Sequence, residues 1–175
     1  GAMISRRLLG GLAMAGLARH AGATPGLSVF EMAEPSGEPG VALRVFVYRP
    51  AAWRPADQAI IVLHGQGRDA DRYIAQWAPQ AEATGLLVIA PEFSQRKYPG
   101  VAAYNWGNVV TEAGTPNPPE AWIFGAIDRI WAAAREKTGA TQAGYALFGH
   151  SAGAQFVHRY LLLAEASQAT TIITA

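Results

Sequence analysis

Tyr145-Ala146-Leu147-Phe148-Gly149-His150-Ser151-Ala152-Gly153 is the stretch that decides the fold. Tyr145 to Phe148 is a short, unbroken apolar run, the pattern of a strand buried on both faces. Ala152 to Ala166 then reads as a helix. Between them, Gly149-x-Ser151-x-Gly153 fits a tight strand-to-helix turn whose glycines leave room to lift the serine above a sheet. A serine hydroxyl is a poor nucleophile until it is exposed, oriented and next to a base. The turn supplies the exposure, and the N-terminus of the following helix favours developing negative charge. Ser151 is the candidate nucleophile. The five-residue pattern is weak alone and takes its weight from the strand–turn–helix setting.

A second element upstream agrees with it. Ala59 to Leu63 is another wholly apolar run, and it ends in His64-Gly65-Gln66-Gly67. A glycine-rich loop at a strand end can turn a backbone N–H toward a substrate carbonyl oxygen. Gln66 is the expected first donor, with Gly67 as the alternative. The N–H of Ala152, just after the nucleophile, is the second. His64 reads as structural, ordering this loop.

Outward from these two motifs the punctuation is regular. Ser28 to Met32 and Val41 to Tyr48 read as strands joined by a turn-rich connector. In the second, Val41, Leu43, Val45 and Val47 share one face, the period of a half-buried antiparallel strand. Asp71 to Thr84 reads as a helix capped by Asp69 or Asp71, which Pro79 should kink or divide. Leu86 to Ala90 is a buried strand closed by Pro91, Pro119 to Thr138 a long helix, and Thr170 to Thr174 a further buried strand. A leading antiparallel hairpin followed by strand–helix units predicts an α/β fold: a mostly parallel sheet flanked by helices. Ser94 to Pro118 has no period and reads as a long excursion above that sheet.

Composition narrows the function classes. Half of the 175 residues are apolar, enough to bury a core in about one domain. A net charge of +1 without a basic stripe argues against nucleic acid as a partner. With no cysteines there is no thiolate metal site, no cysteine nucleophile and no disulfide, and no metal is expected at the site. Residues 1–23 stand apart from the fold. Gly1-Ala2-Met3 reads as a tag scar before a start methionine. Ser5-Arg6-Arg7, the apolar run Leu8 to Ala18 and Ala21-Gly22-Ala23 follow the order of an export signal of twin-arginine type. That implies a periplasmic or secreted protein with no stable membrane insertion, since the run is shorter than the ~20 residues a span needs. Residues 24–175 are then the N-terminal part of one domain.

These motifs together resemble the α/β-hydrolase superfamily over nearly everything after the signal. Leu63-His64-Gly65-Gln66-Gly67, Ala90-Pro91-Glu92 and Tyr104-Asn105-Trp106-Gly107-Asn108 are similar to its polyhydroxybutyrate-depolymerase and feruloyl-esterase-like branch. The resemblance implies a carboxylic-ester hydrolase without cofactor, acting on a small or polymeric ester by acyl transfer through Ser151. A histidine base and an acid would complete the triad.

Neither partner is evident. In this fold the order along the chain is serine, acid, histidine. After Ser151 come only His158 and then Glu165. His158 lies seven residues along the helix, ~10 Å away on the axis, too far to reach the serine. His64 and His150 read as structural or lining, and His20 lies in the signal. The acid and histidine are therefore expected beyond residue 175, in a fuller chain or in a separate polypeptide carrying the C-terminal half. As written, the chain should expose a bare sheet edge.

Specificity is thinly encoded. Tyr98, Tyr104 and Trp106 lie beyond a strand end, where open α/β sheets bind ligands, and Tyr104 and Trp106 are the candidate pocket residues. Trp122, Phe124 and Trp131 read as core within the long helix, Arg96-Lys97 as a solvated pair, and Asp128 as a surface residue. Two other readings remain: an exported serine peptidase, and a non-catalytic hydrolase-like binding domain.

Overall fold

The computed structural model describes residues 25–165 and 167–175. The reading of residues 1–23 as a scar and export signal lies outside the described residues. Six strands form one mixed sheet in the order β1-β2-β4-β3-β5-β6. β1 (Gly26–Met32) pairs antiparallel with β2 (Leu43–Arg49), which pairs antiparallel with β4 (Leu87–Glu92). β3 (Ala59–Leu63) then runs parallel between β4 and β5 (Tyr145–Gly149), and β6 (Ala169–Thr174) lies parallel outside β5. The predicted hairpin and parallel sheet are both present.

Alternation along the central strands sends side chains to two cores. Ile60 and Val62 of β3 pack with Val88 and Ala90 of β4 beneath α1 (Ala70–Thr84). Ile61 and Leu63 pack with Ile89 and Leu147 on the opposite face, beneath α3 (Gly125–Thr138) and α4 (Ala152–Leu163). Each fully buried aliphatic side chain contributes about 1.5–3 kcal/mol, so β3, buried along its whole length, anchors both layers. The chain leaves β3 toward β4 on one side and returns to β5 on the other. The crevice where that order reverses opens between the ends of β3 and β5.

Several local expectations are corrected. Pro79 does not divide α1, which runs on to Thr84 and ends at left-handed Gly85. Ala75, whose carbonyl loses its partner to the proline, is exposed, and so is Pro79, so water can satisfy the freed oxygen. Asp69 occupies the N-cap position without a side-chain cap bond and pairs with Arg72 instead. β4 continues through Pro91 to Glu92, its Pro91 opposite Val45. The long helix from Pro119 is two elements: a single 3₁₀ turn over Pro119–Ala121, then α3 from Gly125. Trp122 caps the turn in an extended conformation and Phe124 precedes α3, so both reach the core from the break between the two. The excursion holds only a four-residue helix, α2 (Gly100–Ala103), and an isolated bridge between Val110 and Pro116.

Lys97 is not solvated. It is 1% exposed and donates to the Glu34 and Glu38 carbonyls at 2.9 and 3.3 Å. Arg96 is exposed, as read. Asp128 is half-buried and accepts the Tyr145 hydroxyl at 2.6 Å, tying α3 to β5. Among the described residues β6 pairs only with β5, and Ile173 of β6 and Leu161 and Leu162 of α4 are exposed.

Candidate active site

Ser151 sits at the top of β5 with φ 54° and ψ −111°, a backbone geometry rarely taken by residues with a Cβ. Sparsely populated conformations of this kind cost about 1–3 kcal/mol and persist only where the surroundings enforce them. Here the enforcement is visible. His150 N–H donates to the Leu63 carbonyl at 3.2 Å, Ser151 N–H to Ala175 at 3.0 Å, and Gly153 N–H to His150 at 2.9 Å. A Cβ on Gly149 would collide with the Gly153 carbonyl, and one on Gly153 with the Leu63 carbonyl. The two glycines of the motif are therefore demanded by backbone contact. The serine itself is exposed.

The loop after β3 lies against this turn. A Cβ on Gly65 would stand 3.6 Å from Ser151 Cβ and 3.7 Å from His150 Nδ1. His64, wholly buried, orders the loop as expected. Its Nε2 accepts the Phe93 N–H at 3.0 Å, so the proton rests on Nδ1, which donates to the Gly65 carbonyl at 2.9 Å. Burial pushes its pKa down to about 4 and keeps the ring neutral. With both nitrogens occupied, His64 has no lone pair for a serine proton.

Fixing the Gly65 carbonyl also aims its neighbour. The peptide group is planar and trans, so the Gln66 N–H points opposite to the Gly65 C=O. Neither the Gln66 nor the Ala152 N–H has an acceptor among the described residues, and Ala152 is the first residue of α4, where such donors are free. Two unpaired N–H groups beside an exposed serine are the elements of an oxyanion hole.

Tyr104 does not line a pocket. It is fully buried, stacked on Phe93 at 5.1 Å, and donates its hydroxyl to the His64 carbonyl at 2.7 Å. Burial raises its pKa and holds it protonated. Tyr98 is equally buried. Both reach back into the core because the excursion folds down onto α4. Trp106 remains half-exposed, and its neighbour Asn105 approaches Gln155, one turn past Ser151, at 3.5 Å.

Arg68 was not singled out by the sequence. Its guanidinium donates to the carbonyls of Phe93, Tyr98 (3.1 Å) and Gly100 (2.8 Å), and lies 4.5 Å from the Tyr104 ring centre. Tyr73 was missed as well: its hydroxyl lies 2.6 Å from His150 Nδ1. No pattern marks either residue: Arg68 bonds carbonyls at least 25 positions away, and the Tyr73 hydroxyl reaches His150, 77 positions on.

His150 borders a cavity of about 210 Å³ with Tyr73, Trp77 and Phe148. A larger one of about 540 Å³ lies between the β1–β2 connector and the excursion, and neither Ser151 nor Gln66 lines it. His158 is exposed on α4, as the helical spacing required. Among the described residues no group of three or more His, Cys, Asp or Glu could hold a metal, and no helix is long and apolar enough to cross a membrane.

No protein-family model matches the sequence, and no curated protein does. Solved structures do. A poly(aspartic acid) hydrolase from Sphingomonas sp. KT-1 is 36% identical with a TM-score of 0.75, over 85% of this chain and 55% of that one. A poly(3-hydroxybutyrate) depolymerase from Bordetella parapertussis is 31% identical with a TM-score of 0.76, over 85% and 51%. A carboxyl esterase from Bacillus coagulans, at 19% identity and a TM-score of 0.57 over 87% and 44%, shares the fold. The chain thus spans about half the length of the structures it matches. The sheet order, the strained serine turn and these likenesses agree: the chain belongs to the α/β-hydrolase superfamily.

Proposed function

We propose that the intact protein is an exported serine hydrolase of carboxylic esters that works through an acyl-enzyme on Ser151. The observation that carries this reading is the strained, exposed serine with unpaired N–H groups on its own turn, at Ala152, and on the adjoining loop, at Gln66. Ser151 Oγ attacks the ester carbonyl and loses its proton to a histidine base. The carbonyl oxygen, now negative, is held by the Gln66 and Ala152 N–H groups and by the N-terminus of α4. The intermediate collapses as the protonated base hands its proton to the departing alcohol, and water, activated by the same base, releases the acid. The base and its orienting acid are then expected from sequence outside residues 1–175, because His64 is fully bonded and His158 lies two helical turns past Ser151.

Two neighbours above 30% identity carry names of enzymes acting on polymers: poly(3-hydroxybutyrate) is a polyester and supports a polymeric as well as a small ester substrate, whereas poly(aspartic acid) is a polyamide, so amide turnover has to be measured beside ester turnover. Export rests on the paired arginines Arg6-Arg7. Replacing both with lysine should hold the protein in the cytoplasm on fractionation.

The test is labelling of the full-length gene product with a fluorophosphonate probe, with the adduct mapped by peptide mass spectrometry. An adduct on Ser151, with turnover of a p-nitrophenyl ester abolished in Ser151→Ala, is the expected result. A full-length protein that takes no label would overturn the reading in favour of a binding domain. Amide turnover exceeding ester turnover would replace the esterase with a peptidase.

A further inference from the structure

We propose that Tyr73 is a positioning residue of the acyl-transfer centre, whose one hydroxyl locks the nucleophile turn and the oxyanion loop into a single register. This rests on the reading of Ser151 as nucleophile. Tyr73 lies in the first turn of α1 and is 6% exposed. Its hydroxyl accepts the Gly65 N–H at 3.1 Å and stands 2.6 Å from His150 Nδ1, a hydrogen bond whose direction the His150 tautomer sets. The two residues it holds each precede a group that acts: His150 precedes Ser151, and Gly65 precedes Gln66.

The arrangement leaves Gly65 little freedom. On one side its carbonyl receives His64 Nδ1–H and, at 3.2 Å, the Arg68 N–H. On the other its N–H is taken by Tyr73. Both backbone torsions of a residue with no Cβ, otherwise the most permissive in the chain, are thereby fixed. Remove the hydroxyl and the Gly65 N–H is left buried without an acceptor, while His150 loses its anchor. Beyond the backbone contact of Gly153 with Leu63 and His64, the two turns are then tied by the bond from His150 N–H to the Leu63 carbonyl. An oxyanion hole made of one donor from each loop needs their separation held to fractions of an ångström, since a misplacement of about 1 Å can cost ~100-fold in rate.

A tyrosine that merely packs would behave differently. In the full-length enzyme, Tyr73→Phe keeps the ring and removes only the oxygen. We expect kcat on a p-nitrophenyl ester to fall about tenfold with KM within twofold, each rate being normalised to the active fraction titrated with the fluorophosphonate. His150→Leu should give a similar loss. His150→Asn, whose amide oxygen can take the place of Nδ1, should stay within about threefold of wild type. The double variant Tyr73→Phe/His150→Leu should be no slower than Tyr73→Phe alone, because the tyrosine change already removes the bond that His150→Leu deletes. A Tyr73→Phe enzyme with wild-type kcat per active site, or losses that multiply in the double variant, would overturn the proposal. Ser151→Ala separates the two readings. If it is inactive while Tyr73→Phe is unimpaired, only the positioning role falls; if it stays active, the nucleophile falls and the positioning role with it.

Discussion

Gly153 and Leu63 meet backbone to backbone: a Cβ at Gly153 would overlap the Leu63 carbonyl oxygen and stand 2.9 Å from that of His64. The first turn of α4 is thereby pressed against the end of β3, with no room for a methyl group. Gly153→Ala must separate the two. We expect a loss of about 3 kcal/mol in denaturant unfolding, at the upper end for overpacking because the obstacle is backbone. Fluorophosphonate labelling should slow at least tenfold at a temperature where the variant is still folded. Wild-type labelling would show that the contact is not needed for the geometry.

The strain at Ser151 predicts an opposite effect on stability. With φ at 54°, the serine Cβ is a liability that glycine would not carry. Ser151→Gly should gain about 1 kcal/mol while losing all activity, whereas Ser151→Ala should lose activity without that gain. Equal melting temperatures for the two variants would contradict stored strain.

His64 gives the fold a pH dependence of defined sign. Its folded pKa, about 4, lies below the 6.5 of an unstructured histidine because burial disfavours the charged ring. Between those values the unfolded chain holds more protons than the folded one, so stability falls as pH drops from 6.5 toward 4 and the effect levels off below. The full span amounts to roughly 3 kcal/mol. His64→Asn, though less stable at neutral pH, should show a flatter unfolding profile over that window. An unchanged slope would assign the acid sensitivity to other groups.

Arg68 staples the excursion to the sheet through three carbonyls, and burial lowers its pKa. Arg68→Met keeps the bulk and abandons the carbonyls of Phe93, Tyr98 and Gly100. We expect about 3 kcal/mol of destabilisation, since bonds from a charged donor are the stronger kind. Limited proteolysis should show new cleavage between residues 94 and 118. Cleavage elsewhere, with this segment still protected, would show that the aromatic stack alone holds it.

What the sequence made legible was whatever is written locally. β3 and β5 announce themselves as unbroken apolar runs, and the serine turn joins two elements within five residues. Lys97 was misread because its burial depends on the carbonyls of Glu34 and Glu38, about sixty positions upstream. Tyr104 looked like a pocket residue for the same reason: the partner that takes it inward, the His64 carbonyl, is forty residues away. The break before α3 hid behind good helix formers on either side, and it is held open by Ile123 N–H reaching the Gly107 carbonyl in the excursion. Gln66 and Ala152 are read from the turn pattern alone, and neither N–H has an acceptor among the described residues. Tyr73, equally close to it, carries no local mark.

One bond described above bears on how the serine comes to be competent at all. Ser151 N–H is held by the carbonyl of Ala175, and Ala175 N–H by that of Gly149, so the turn is fastened to β6 as well as to β3. The serine's posture therefore rests on contacts that reach 24 positions forward, to Ala175, and 87 positions back, from His150 to Leu63, and the longer of these must close a large loop before it can form. A chain caught halfway through folding has the serine but not its tension. If Ser151 is the nucleophile, its hydroxyl gains the proposed reactivity only once β5 has both of its neighbours in the sheet.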